Sequence, residues 1–421
     1  AHPREKAGVF AVRQGPPLTE NLRLLLKGEP PRRFIPQRRF LSLIGTGGGH
    51  AIAVRGRFSA EGAVLWRLKT AIDRRWMAKY RELPVMEEEP DMRCGGCGAK
   101  VPAEVLARVM TRLGRVEGPE DAAIVATPPA RRLLQSVDFF RAFLPDPYLF
   151  GRIGANHALN DIFAMGGKPL TVLAIATVPA AADALVEEDL FHMLRGGLDQ
   201  IEEAGARLIG GHSAEGKELA LGFAVTGSGG EGDRFLLKGG LKQGDRLLLT
   251  KPLGTGTLLA AEMRGRARAP WIEAAIASML RSNAAASIIL RDHGVSACTD
   301  VTGFGLLGHL VEMLRASKVE AGLSLDAIPV IEGAQATAAA GILSTGQPGN
   351  LAFSAHTLDF GEMGRHPSLP LLFDPQTSGG LLAGVPAEEA ASCLEALRAR
   401  GYDAAEIGRI EGDASVRVRL S

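Results

Sequence analysis

The chain has 421 residues, 46% of them hydrophobic, enough for two or three domains with proper cores. Its 48 Lys and Arg against 47 Asp and Glu leave a net charge of +1, which excludes a whole-chain electrostatic drive toward nucleic acid. Cys94, Cys97, Cys298 and Cys393 are too few and too scattered for a disulfide framework and fit a reducing, cytoplasmic setting. No apolar run approaches the ~20 residues of a membrane-spanning helix.

The charge is uneven. Residues 1–83 carry seventeen basic residues against six acidic ones, leaving thirty-one against forty-one for the rest. Within this basic segment, residues 8–16 read as a short strand and a turn, 18–26 as a helix, and 40–44 with 51–58 as a hairpin around Gly45-Thr46-Gly47-Gly48-Gly49-His50. From 62 to 80, Leu65, Leu68, Ile72, Trp76 and Tyr80 recur at helical spacing, with Arg67, Lys69, Arg74, Arg75 and Lys79 on other faces. Such a basic amphipathic helix suits either a protein core or a membrane interface. With no initiator Met, the chain reads as the remainder of a longer one. Residues 84–91, acidic and bracketed by prolines, read as a linker.

Next comes Arg93-Cys94-Gly95-Gly96-Cys97-Gly98-Ala99-Lys100-Val101-Pro102. Three glycines strip Cβ atoms from the loop, so its backbone can approach a ligand, and Cys97 and Lys100 are nearly the only side chains presented. A nearby Lys favours the thiolate, the nucleophilic form. On spacing alone the Cys94/Cys97 pair is also compatible with half a zinc site or a redox dithiol.

Strands are expected at 122–126, 132–137, 170–178 and 219–226, with helices at 149–165 and 186–204. On the first of these helices His157 and Asp161 stand at i and i+4, on one face. A second α/β unit begins near Gly244, with strands at 246–250, 295–298 and 380–385, helices at 271–293, 304–316 and 387–400, and a loop at 341–350. The glycines of Lys251-Pro252-Leu253-Gly254-Thr255-Gly256 could open a helix N-terminus toward an anion. Alternation of strands and helices in both halves predicts α/β or α+β layers.

Asp121, Asp138, Asp161 and Asp300 each stand at the edge of an apolar segment. Gathered without a cation they would repel one another, and an Mg²⁺-polyphosphate site would relieve this. Taken singly, each is equally a cap or turn residue. Gly303-Phe304-Gly305-Leu306-Leu307-Gly308 spells G-x-G-x-x-G, but Asp300 just before it would face a pyrophosphate, which argues against a dinucleotide fold.

The Cys97–Lys100 loop, the four Asp motifs, Gly210-Gly211-His212-Ser213, the 249–256 and 302–309 stretches and Asp374-Pro375-Gln376-Thr377-Ser378-Gly379-Gly380 together resemble the selenophosphate synthetases (selenide, water dikinases), from Met92 to the C-terminus. That resemblance implies an aminoimidazole-ribotide-synthetase-like architecture, α+β or α/β, with an N-terminal nucleotide-binding half at 92–240, a C-terminal half at 241–421, and two subunits pairing through their N-terminal sheets. It implies that ATP, selenide and water give selenophosphate, AMP and phosphate. Cys97 and Lys100 become the catalytic pair, Asp121, Asp161 and Asp300 the Mg²⁺ ligands, and Lys100, Asp138, Asp161, Gly210, Gly211, His212, Ser213, Gly303 and Gly305 the ATP contacts. At 157 the family usually has Asn, so His157 is a departure close to the metal. Residues 1–83 are similar to the C-terminal end of NADH-dehydrogenase-like flavin oxidoreductases; with no βαβ unit before them, no flavin is expected in this fragment. The rival functions are another ATP-dependent enzyme of the same superfamily and a flavoprotein subunit with a nucleotide-binding module.

Overall fold

A computed structural model describes residues 8–35, 40–81, 123–127, 131–179, 181, 183–229, 235–412 and 416–421. The expected linker at 84–91, the Cys97–Lys100 loop and Asp121 lie outside the described residues. The chain divides into two units, Ala1–Asp91 and Met92–Ser421.

In the first unit, α1 runs through Gly8–Leu26, so the strand and turn expected over 8–16 are helical instead. Val9-Phe10-Ala11-Val12 is an unbroken apolar run without alternation, which periodicity cannot assign to strand or helix. Pro16 and Pro17 lie inside α1. Strands β1 (Ser42–Gly47), β2 (His50–Arg55) and β3 (Phe58–Gly62) form an antiparallel meander, one strand more than the expected hairpin, because the chain turns at Gly56, φ +65°. Helix α2, Ala63–Arg81, lays Trp66 against Gly45 of β1, where a Cβ would come within 2.8 Å of the indole.

In the second unit, a five-stranded sheet orders β4 (Ala123–Thr127), β5 (Arg131–Arg141), β6 (Lys168–Pro179), β7 (Arg207–Gly216) and β8 (Ala220–Ser228) as β4-β5-β8-β6-β7. Only β6–β7 is a parallel pair. Two helices cover one face, α3 (Pro147–Ala164) and α4 (Asp183–Glu203). Asp146 caps α3, accepting from the N–H groups of Tyr148 and Leu149. The two helices cross in close backbone contact: a Cβ on Gly151 would stand 2.0 Å from Met193 O, and one on Gly196 2.0 Å from Tyr148 O. Beneath them Leu134, Phe150, Ile153, Ile162, Leu221 and Phe223 form the core.

The C-terminal half is built on a seven-stranded sheet, β10-β13-β9-β14-β11-β15-β12. Its strands are β9 (Arg246–Leu249), β10 (Ala297–Asp300), β11 (Glu320–Leu323), β12 (Leu358–Asp359), β13 (Leu381–Val385), β14 (Ala405–Gly412) and β15 (Val418–Leu420). Helices α5 (Thr255–Met263), α6 (Ala269–Leu280), α7 (Ala284–Asp292), α8 (Gly305–Ser317), α9 (Ala334–Ala339), α10 (Gln347–Ser354) and α11 (Ala387–Ala399) surround it. The single helix expected over 271–293 is two, since Arg281 is extended and Asn283 donates its amide to Gly379 O at 2.8 Å. The loop expected over 341–350 contains the start of α10. Among the described residues, no helix is long and apolar enough to cross a membrane.

Candidate functional site

Strand alternation decides what β5 offers to α3. Leu134, Ser136, Asp138 and Phe140 point toward the helices, whereas Val137 and Phe139, exposed, point away. Ser136 Oγ donates to Asp161 Oδ2 on α3. One turn earlier, His157 is 1% exposed, its Nε2 lies 3.7 Å from Asp138 Oδ2, and its ring meets Phe140 edge-on at 4.6 Å. The Ser378 N–H donates to His157 Nδ1 at 2.8 Å, so the ring keeps its proton on Nε2, toward Asp138. Two successive inward residues of one strand thus face two residues a turn apart on one helix. Between them Asn160 is fully buried, and neither of its amide atoms meets a hydrogen-bond partner among the described residues.

The C-terminal half meets this layer through residues 374–380. Asn156 of α3 donates to Ser378 Oγ at 2.9 Å, Met279 O at 2.8 Å and Arg281 O at 3.0 Å. Lys251, just past β9 and 1% exposed, donates to Ser378 O at 2.9 Å and Arg281 O at 2.5 Å. Burial, aided by the Arg281 charge, pulls its ammonium down to about 7, while Asp300 pulls the other way. Asp300 closes β10 opposite Leu381 and is 2% exposed.

Thr302 N–H donates to His309 Nε2 at 3.1 Å, and His309 Nδ1 faces Glu312 Oε2 at 3.8 Å, itself 3.0 Å from Lys238 Nζ. His309 thus ties the loop after Asp300 to α8. Gly303 O accepts from Asn350 at 2.9 Å, and Gly305, at φ +71°, has the backbone of Leu372 and Phe373 within about 3 Å of any Cβ. Both glycines, expected as nucleotide contacts, are buried.

The helix N-terminus expected to await an anion already has one. Asp374, fully buried, accepts from Thr257 Oγ1 at 2.8 Å and from the Gly256 and Thr257 N–H groups. Gln376 Oε1 accepts from Gly254 N–H at 3.0 Å and Thr255 N–H at 3.2 Å. The start of α5 is therefore saturated from within. Burial raises the Asp374 carboxyl to about 6.

Of the residues singled out in the sequence, Asp138 of β5 faces α3 at His157, Asp161 of α3 faces β5 at Ser136, and Asp300 stands opposite Leu381, three residues past Ser378. Gly210, Gly211, His212 and Ser213 lie inside β7 rather than in a phosphate loop, exposed, with β8 and β6 between them and β5. Gly211 is demanded by the sheet: a Cβ would sit 2.2 Å from Ala174 O. Among the described residues no group of three or more His, Cys, Asp or Glu side chains could hold a metal ion. Cys97, Lys100 and Asp121 are outside that set. Sequence reasoning gave no role to Lys251, Asn156, Asn160, Asp374 or Ser378. A Lys directly after Leu247-Leu248-Leu249-Thr250 was the available signal, a charge entering an apolar strand.

Two family models match the chain: AIR synthase related protein, N-terminal domain, over residues 119–229, and its C-terminal domain over 242–421. The selenide, water dikinase of Myxococcus xanthus (strain DK1622) is 40% identical over 334 residues, covering 76% of this chain and 92% of that protein. Its counterpart in Desulfitobacterium hafniense (strain Y51) is 40% identical over 336 residues, covering 77% and 97%. The solved thiamine monophosphate kinase of Aquifex aeolicus matches with a TM-score of 0.55 at 18% identity, covering 76% of this chain and 96% of that one, a likeness of fold.

Proposed function

The chain belongs to the selenide, water dikinase family, and from that premise we propose that its phosphotransfer site is the layer between β5 and α3, completed by Asp300 and the Cys97–Lys100 loop. The reaction is ATP-dependent: selenide and water are converted to selenophosphate, with AMP and phosphate released. Phosphoryl transfer depends chiefly on positioning and charge neutralisation. The observation that carries the reading is the pairing of Asp161 with Ser136 and of Asp138 with His157 across one strand and one helix.

Asp121, Asp161 and Asp300 would hold magnesium, with Asp138 supporting the same phosphates. Carboxylates, the Ser136 hydroxyl and the unbonded Asn160 amide oxygen are hard donors that fit this ion. Bound there, Mg²⁺ would neutralise charge on the triphosphate. Lys100 would neutralise charge on the transferred group. Cys97 would handle selenium, a soft atom that suits a thiol. Gly210, Gly211, His212 and Ser213 would contact nucleotide from β7, where they are exposed.

Two further assignments complete the reading. The outer face of the five-stranded sheet carries the rows Val137–Ala224–Leu173 and Phe139–Gly222–Ile175, apolar and open, and would pair with a second copy of the chain. Residues 1–83 would be the tail of a flavin oxidoreductase fused to this cytoplasmic enzyme, with no flavin of its own; flavin absorbance in the purified chain would overturn that part.

Phosphorus NMR of the products formed from ATP, Mg²⁺ and selenide tests the whole. Cys97→Ser is expected to abolish selenophosphate while leaving ATP binding largely intact, and equal activity in the variant would remove the thiol from the mechanism.

A further inference from the structure

We infer that Ser378 is a positioning residue that fixes the carboxylates of β5 and α3 against Asp300 of the C-terminal half; the inference rests on the assignment of those carboxylates to the Mg–ATP site. Ser378 is 1% exposed and, with Lys318, is one of two non-glycine residues of positive φ among those described, at +49°. Each of its polar atoms is engaged. Its N–H donates to His157 Nδ1 at 2.8 Å, its Oγ accepts from Asn156 Nδ2 at 2.9 Å, and its C=O accepts from Lys251 Nζ at 2.9 Å.

Those three partners lead to the two sides of the site. His157 turns its other nitrogen to Asp138, 3.7 Å away, and Asn156 precedes it on the helix that carries Asp161. Lys251 follows Thr250, whose N–H donates at 3.0 Å to the C=O of Leu381, the residue that stands opposite Asp300 in the β10–β13 pair. A line therefore runs from Asp138 through His157 and Ser378 to the start of β13, where Leu381 stands opposite Asp300.

A turn with no other duty would be served better by glycine at this φ. The next two positions are glycine for a separate reason, since a Cβ would lie 2.0 Å from Val301 O at Gly379 and 2.5 Å from Lys251 N at Gly380. At 378 what glycine lacks is the hydroxyl that Asn156 grips. Holding a serine in the left-handed region makes the loop bond to α3 in one register only.

The test compares Ser378→Gly with Asp300→Asn. Ser378→Gly is expected to keep or raise the thermal midpoint, because the backbone strain is relieved. Its kcat should fall on the order of tenfold to a hundredfold while KM for ATP stays within about twofold, the signature of misplaced rather than weakened contacts. In the unaltered protein, hydrogen exchange over residues 374–380 should slow when Mg²⁺ and a non-hydrolysable ATP analogue are added, a readout independent of whether the variant folds. Wild-type kcat in Ser378→Gly, or exchange indifferent to the Mg²⁺–analogue mixture, overturns the inference and leaves the carboxylate assignment standing. An Asp300→Asn variant with an unchanged Mg²⁺ titration overturns the assignment, and the inference with it.

Discussion

Gly151→Ala probes how α3 is held. The new Cβ would stand 2.0 Å from Met193 O, 2.9 Å from Met193 C and 3.0 Å from Gly197 N, all backbone atoms of α4. Ordinary contact begins near 3.4 Å, so the helices must part by about 1.4 Å (3.4 less 2.0). Alanine improves helix propensity by about 1 kcal/mol. Against this, overpacking costs about 1–3 kcal/mol, and a gap of ~1 Å forfeits up to about half of the dispersion energy along the seam. The clash is with main chain, which cannot swing aside, so a net loss of about 2–3 kcal/mol is expected, lowering the thermal midpoint by roughly 5 °C. Because α3 also carries His157 and Asp161, ATP affinity should fall with stability. Scanning calorimetry and nucleotide titration of the variant provide the check. A midpoint equal to or above wild type, as propensity alone would give, refutes the close-crossing argument.

Asp161→Asn should raise the Mg²⁺ concentration for half-maximal activity by about tenfold or more, and a superimposable metal titration would contradict its assignment. Asp374 makes a signed pH prediction: its carboxyl rises from 3.8 to about 6 in the folded chain. Between those values the folded state keeps a proton that the unfolded chain has released, so this group's contribution to stability falls by about 3 kcal/mol as pH climbs from about 4 to about 6, then stays level. Asp374→Asn should remove that component; a stability difference between variant and wild type that is the same in urea titrations at pH 4 and pH 6.5 would sink the idea. Phe139→Glu, on the open face of β5, should yield monomers in sedimentation equilibrium, and an unchanged assembly would exclude this face from pairing.

The long periodic elements were legible in the sequence. Helices α3, α4, α8 and α11 and strands β5, β6 and β8 fall within a few residues of where apolar spacing put them. What escaped had local causes. Strand β14 carries a bulge between Glu406 and Gly408 that breaks its alternation, and β11 and β15 have only four and three residues. Gly210-Gly211-His212-Ser213 looked like a loop because it holds two glycines, yet one of them is there to let β7 lie close to β6. The candidate site was partly readable. Acidic residues at the edges of apolar runs drew notice to Asp138, Asp161 and Asp300. The polar residues between them, Asn156, Lys251 and Ser378, acquire meaning only when α3 meets a loop more than 200 positions away, a separation that no local pattern records.

Strand β5 serves two clients through neighbouring residues. Ser136 and Asp138 look inward, Val137 and Phe139 outward, so the distance from one surface to the other is a single Cα. A one-residue slip in its ladder with β8 would send Ser136, Asp138 and Phe140 outward and turn Val137 and Phe139 toward α3. The polar pair that faces α3 and the outer apolar coat would then be lost in the same event.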